Sequence, residues 1–277
     1  MKLSIFTTVT RPTMRGDLFN EAFNCYEELA DEVVVIDGDD TDYEVDRETI
    51  RGKHKKVRWI EKAAYRWPEE FRWDFIGRQF QRGYEASTGD WVIHADLDFI
   101  WHENDFEAIR QACYDNRNKP AFSMLKRQFV LPDRFNVKSR LVTAVNKARY
   151  GDYIKFNSGG DLCQPSLDGK YLAPQDVAQT SIPIWNYDKV LKTKEQITND
   201  VGRMARAWKR YFGEAKLGYT DEEAYSEWYK MMKGRYSKPH EFVPIKDHPK
   251  FMQNTIRNLT EDQFGYSGFG LGKVEYV

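Results

Sequence analysis

Three cysteines in 277 residues, Cys25, Cys113 and Cys163, stand far apart, and none belongs to a C-x-x-C pair. That count supplies neither a disulfide framework nor a thiolate metal site, and it suits a reducing compartment. No stretch approaches the roughly 18 apolar residues that a membrane-crossing helix needs. Residues 1–9 lack the apolar region and small-residue cleavage site of a signal peptide and read as a strand. The expectation is a cytoplasmic protein. With a net charge of −1, the overall balance names no partner.

Apolar residues reach 41% and aromatics 15%, enough to build a core, and neither an internal repeat nor a linker divides the chain. One domain over 1–277 is expected. Charge is unevenly placed. Residues 31–48 are strongly acidic, whereas 117–149 carry Arg117, Lys119, Lys126, Arg127, Arg134, Lys138, Arg140, Lys147 and Arg149 against Asp133 alone. A basic run of this kind marks either a solvated face or a surface for an anionic partner.

Hydrophobic patterning gives the order of elements. Residues 2–9 read as a strand that Arg11-Pro12-Thr13 breaks, and Leu18, Phe19, Ala22, Phe23, Tyr26 and Leu29 recur at helical spacing within 15–30. Glu32-Val33-Val34-Val35-Ile36 is near-continuously apolar, as in a sheet covered on both faces. A short strand over 56–60, a helix over 70–87 and a strand over 91–95 follow. This alternation predicts an α/β fold with a mostly parallel central sheet flanked by helices. Beyond it, the pattern predicts a helix over 103–116, strands over 121–125 and 140–147, loops and short strands over 151–180, and helices over 190–212 and 221–233. The glycine-rich stretch 264–272 reads as a mobile tail able to close over a ligand.

The strand Trp91-Val92-Ile93-His94-Ala95 runs into Asp96-Leu97-Asp98. Hard oxygen donors of this kind suit Mg2+ or Mn2+ bridging a diphosphate.

Two segments in this order, Ile36-Asp37-Gly38-Asp39-Asp40-Thr41-Asp42 and Gly89-Asp90-Trp91-Val92-Ile93-His94-Ala95-Asp96-Leu97-Asp98, resemble the nucleotide-sugar half of GT-A glycosyltransferases of the family-2 type. The resemblance covers about residues 2–103, leaving 104–277 for the acceptor half, with a smaller sheet and C-terminal helices. It implies that Thr8, Thr10 and Arg11 wrap the nucleoside and that Asp37 accepts from the base, which favours a UDP-sugar. It further implies that Asp96 contacts the ribose or the metal shell, and that Asp98 ligates Mn2+ or Mg2+. Arg78 and Arg82 are candidates for the phosphates. His248 or His240 would add a metal ligand, and Asn186 stands where relatives carry a histidine. An inverting transferase also needs a general base, for which the resemblance offers Asp161 and Asp176.

The expected activity is metal-dependent transfer of a sugar from a nucleoside diphosphate to a hydroxyl. A nucleotidyltransferase is disfavoured because Thr8-Val9-Thr10-Arg11-Pro12-Thr13 is not glycine-rich. Two alternatives stay open. Cations interleaved with aromatics in 117–149 and 203–211 would suit a transferase acting on hydroxylated bases of DNA. A non-catalytic sugar- or nucleic-acid-binding protein is the other.

Overall fold

A computed structural model describes residues 1–38, 44–60, 73–156 and 164–274. The N-terminal half runs β1 (Leu3–Val9), α1 (Pro12–Arg15), α2 (Phe19–Leu29), β2 (Glu32–Asp37), α3 (Glu44–Lys53), β3 (Val57–Ile60), α4 (Trp73–Ala86) and β4 (Trp91–His94). After it come β5 (Phe99–Ile100), α5 (Phe106–Asp115), β6 (Ala121–Leu131), β7 (Arg134–Asn146), α6 (Lys147–Tyr150), β8 (Ile154–Lys155), β9 (Ser166–Leu167), β10 (Lys170–Tyr171) and β11 (Ala178–Asn186). The chain continues through α7 (Lys194–Phe212), α8 (Asp221–Tyr236), β12 (Glu241–Phe242), α9 (Lys250–Arg257) and α10 (Phe264–Ser267).

Among the described residues, the main sheet has nine strands in the order β3-β2-β1-β4-β7-β6-β11-β5, with β12 beside β7. It is parallel through β3, β2, β1 and β4, turns antiparallel at β7 and β6, and is parallel again between β6 and β11. A small antiparallel sheet joins β10, β9 and β8. The expected α/β architecture is therefore the one observed.

Successive strand residues point to opposite faces, and both faces are covered. Leu3, Ile5, Val33 and Val35 pack with Ala22, Phe23 and Tyr26 of α2, while Phe6, Val34 and Ile36 pack with Phe80 and Tyr84 of α4. That double cover explains the unbroken apolar run in β2. Helix α4 lies close on β1 because Gly83 has no side chain, and a Cβ there would run into the Phe6 ring. Helices α7 and α8 each begin with a reciprocal capping box, Thr193 with Gln196 and Thr220 with Glu223.

Three local expectations are revised. Pro12 does not simply end β1. It opens the single turn α1, behind an Arg11 held in the left-handed region at φ 45°. Strand β7 begins at Arg134, well before 140, and the polar Lys138-Ser139-Arg140 within it hid its alternation. The tail at 264–272 is docked: Phe264 packs on Trp228 with ring centroids 5.1 Å apart, and the Tyr229 hydroxyl donates to the Phe269 carbonyl at 3.0 Å.

Candidate functional site

In the parallel half, β2 and β3 lie on one side of β1 and β4 lies on the other, so the strand order reverses between β1 and β4. Open α/β sheets bind ligands at such a reversal, beyond the carboxyl ends of the strands. The Ala95 amide still donates to the Phe6 carbonyl at 3.0 Å. Then the chain turns, with the Phe99 amide bonded to the Asp96 carbonyl at 2.9 Å. The Tyr26 hydroxyl reaches up from α2 to the carbonyls of Asp96 at 2.6 Å and Phe99 at 2.9 Å. Past this turn, Asp96 and Asp98 both face one cleft.

The cleft has two lobes that meet at Ile76, Phe80, Asp96, Asp98, Asp188 and Met204. One, of about 220 Å³, is lined by Thr8, Arg15, Asp17, Lys189, Lys192 and Arg203. The other, of about 360 Å³, is lined by His94, Lys126, Gln128, Lys138, Thr143 and Arg235, among others.

At the junction the carboxylates differ. Burial, reinforced by the charges of Asp96 and Asp188, pushes the Asp98 carboxyl up to about 7. Asp96, half-exposed in the cleft, is partly desolvated, which acts to raise it, but His94, whose Nε2 lies 3.8 Å from Oδ1, and the cations Lys126 and Arg15 hold it below its ordinary range. Asp188 is likewise held down against burial, chiefly by Lys189 and Lys126. Asn186 donates to Asp98 Oδ2 at 2.7 Å and Gln128 to Asp188 Oδ2 at 3.2 Å, so β11 and β6 both clamp the site.

The first lobe is walled by a network of ion pairs. Asp200 is buried and meets Lys192 at 2.6 Å, Lys189 at 3.0 Å, Arg15 at 3.4 Å and Arg203 at 3.5 Å. Asp17 holds Lys192 at 2.6 Å and Arg15 at 3.3 Å. Four cations thus gather around Asp17 and Asp200 at the wall of the lobe, across from Asp96, Asp98 and Asp188. Burial, with Arg15 nearby, pulls the Arg203 guanidinium down to about 10. The C-terminal tail braces this arrangement from behind, since the amides of Gly265 and Phe264 donate to the carbonyls of Val190 and Lys192 at 2.6 and 2.9 Å.

The residues expected from sequence are only partly gathered. Thr8, Asp96 and Asp98 line the cleft. Thr10 and Arg11 border a smaller cavity of about 140 Å³ that shares Arg15 and Arg203 with the first lobe. Asp37 is buried, and its Oδ2 accepts from Arg47 at 2.7 Å and from the Trp59 indole at 3.0 Å. Arg78 pairs with Asp74 at 3.0 Å, and it is Ile76 and Phe80, not Arg78 or Arg82, that α4 turns into the cleft. Asp176 is exposed in a turn and lines no part of the cleft among the described residues. Asp161 lies outside the described residues. His248 is fully buried among Phe129, Trp185 and Tyr187, with the Tyr187 hydroxyl 2.8 Å from Nδ1, and burial pulls it down to about 4. It lines neither lobe of the cleft. His240 lies beyond the second lobe.

Nor is the basic run a continuous face. Arg134 is buried in a two-pronged pair with Asp133, at 2.8 and 2.7 Å. Lys147 caps α4 through the carbonyls of Tyr84 and Ser87, and Arg140 bonds the Thr180 carbonyl. Lys126 and Lys138 turn into the second lobe. In α7, Arg206 pairs with Asp221 and Lys209 lies 4.6 Å from the Tyr219 ring centre.

Among the described residues, no three His, Cys, Asp or Glu side chains converge to hold an ion. Asp96 and Asp98 offer hard oxygen donors at the junction beside Asp188, and these like charges crowd one another, so a divalent cation fits there if the diphosphate and water complete its shell. No described helix is long and apolar enough to cross a membrane.

No family model matches the chain, and no curated protein matches it. Among solved structures, Staphylococcus aureus TarS 1–349 in complex with UDP-GlcNAc is similar at 13% identity, with 84% of this chain and 81% of that one covered and a TM-score of 0.41. A second crystal of TarS 1–349 gives 20% identity over 47% of this chain, a TM-score of 0.32, and only 36% of its own length covered. The mannosyltransferase PcManGT from Pyrobaculum calidifontis, in complex with GDP-Man and Mn2+, gives 12% identity, 84% and 70% coverage and a TM-score of 0.40. None of these reaches a TM-score of 0.5.

Proposed function

We propose that the protein is a glycosyltransferase that moves a sugar from a nucleoside diphosphate to a hydroxyl acceptor. The observation that carries this reading is the placement of Asp96 and Asp98 between a cation-ringed lobe and a second, polar lobe of one cleft. The donor's diphosphate lies against Arg15, Lys189, Lys192 and Arg203, with Thr8 beside it. Its sugar crosses the carboxylate junction towards the second lobe, where the acceptor enters. A family-2 resemblance at Asp37 favours uridine as the base.

Asp96 and Asp98 are the residues to hold Mn2+ or Mg2+, which when bound neutralises charge on the leaving diphosphate. The protein's own cations do the same work at fixed positions, prepaid by folding. Asp17 and Asp200 orient them. In the transfer, the acceptor oxygen forms a bond to the anomeric carbon while the bond from that carbon to the phosphate oxygen breaks, and the diphosphate leaves with the electron pair. The acceptor proton needs a carboxylate in the junction. Asp188, held ionised and lining both lobes, is the described residue placed to take it.

A thermal-shift panel of UDP, GDP, CMP and their sugar conjugates, with and without Mn2+, tests the reading. It predicts a metal-dependent rise in melting temperature with one nucleotide that disappears in Asp98→Ala. A panel without any shift would overturn it.

A further inference from the structure

The second lobe does not end near the carboxylates. Gln128, Lys138 and Arg235 also border an outer recess of about 610 Å³, formed with Phe135, Asn136, Lys238 and His240. A continuous path therefore leads from Asp96 and Asp98 out between β6, β7 and the end of α8.

The inner part of this path is polar and unsatisfied. Gln128 is 4% exposed and gives its amide N–H to Asp188, but its carbonyl oxygen has no partner among the described residues. The Thr143 hydroxyl, on a residue 1% exposed, is also without a partner there. Buried polar atoms are nearly always paired, so these two call for a ligand rich in hydroxyl groups. Cations stand around them: Lys126 inside, Lys138 and Arg235 at the neck, and Lys238 at the rim, with Glu241 the acid that lines the outer recess. The Arg235 guanidinium makes no ion pair within 4 Å among the described residues; its hydrogen-bond partner is the Met232 sulfur at 3.7 Å, and Asp188, deeper in the cleft, is the acid whose charge acts on it. A half-buried cation in that state is a site for an anion.

We propose that the acceptor is a phosphate-bearing polyhydroxy compound. Its accepting hydroxyl lies at the carboxylate junction and its phosphate lies at Lys138 and Arg235. The inference rests on the transfer reading above and names its acceptor class. A nucleic acid fits less well. The aromatic rings along the path, Phe99 and Phe135, are each 3% exposed and offer no stacking platform, and most of the basic run is bound internally.

Calorimetry tests this without turnover. Glucose 6-phosphate, ribose 5-phosphate and glycerol 3-phosphate are titrated beside glucose, ribose and glycerol, and beside a single-stranded oligonucleotide, into the wild type, Lys138→Gln and Arg235→Gln. UDP with Mn2+ is titrated separately. The expected result is that at least one phosphorylated probe binds about tenfold more tightly than its parent. That preference is lost in both variants, while their UDP affinity stays unchanged. Equal binding of phosphorylated and parent compounds, or a preference that survives both substitutions, would overturn the inference, as would binding of the oligonucleotide alone. Failure of UDP to bind while the sugar phosphate still does so would overturn the transfer reading and leave the anion site standing.

Discussion

The side-chain amide of Asn186 donates to Asp98 at 2.7 Å, joining the last residue of β11 to a carboxylate 88 positions earlier. The same strand end is pinned again by the Tyr187 amide on the Asp98 carbonyl at 3.1 Å. The orientation of the Asp98 carboxylate is thus set by the C-terminal half of the chain.

Replacing Asn186 with Ala removes this donor while leaving the carboxylate in place. Loss of one hydrogen bond to this poorly hydrated carboxyl costs about 1–3 kcal/mol. The variant is expected to unfold at lower denaturant concentration and to bind UDP with Mn2+ more weakly, both read by titration. Unchanged nucleotide affinity would show that Asp98 needs no orienting partner.

Asp200 neutralises Lys189, Lys192, Arg15 and Arg203 in a buried setting. Asp200→Asn removes the carboxylate these cations share, leaving Arg15 and Lys192 with Asp17 and Lys189 with Asp188, a loss of roughly 3–5 kcal/mol. Burial acts to raise its pKa, but the cations, Lys189 foremost, hold it far below its ordinary range. Its contribution is therefore complete above about pH 4 and is lost as pH falls through the lowered value. Acid unfolding followed by circular dichroism should show a shallower acid limb in Asp200→Asn than in the wild type.

His248 is a core residue, contrary to its expected place among the metal ligands. His248→Ala should leave UDP and Mn2+ binding unchanged while removing roughly 2–5 kcal/mol of stability, as large-to-small core changes do. A loss of Mn2+ affinity in a variant that still folds would restore the metal role.

Gly265 meets Val190, where an added Cβ would lie 2.7 Å from both the carbonyl oxygen and Cγ1. Gly265→Ala should push on the loop that carries Lys189 and Lys192, at a cost of about 1–3 kcal/mol. A parallel fall in UDP affinity is expected, and calorimetry reads it directly.

The first hundred residues were legible because buried parallel strands leave continuous apolar runs and because Asp96 and Asp98 adjoin one of them. The cation ring was not. Arg15 sits on a turn that Pro12 appeared only to break, and Lys189 and Lys192 lie some 170 positions further on. Arg203 read as part of a surface helix for nucleic acid. A single sequence carries no signal that such distant charges share Asp200. Burial was equally hidden. Nothing in Asp247-His248-Pro249 tells that the imidazole faces Phe129 and Tyr187, and nothing in 117–149 tells that Arg134 is paired with its neighbour inside the protein. Asp188 was missed because it follows a strand as an isolated acid, with no motif around it.

The central claim is that one cleft binds a nucleoside diphosphate against the cations of its first lobe, beside Asp98. Calorimetric titration of UDP and GDP in the presence of Mn2+, on the wild type, Asp98→Ala and Lys189→Met, measures this most directly. The account predicts binding of a nucleoside diphosphate to the wild type, at least tenfold weaker in each folded variant. Binding by neither nucleotide, or affinity that both substitutions leave unaltered, would contradict it.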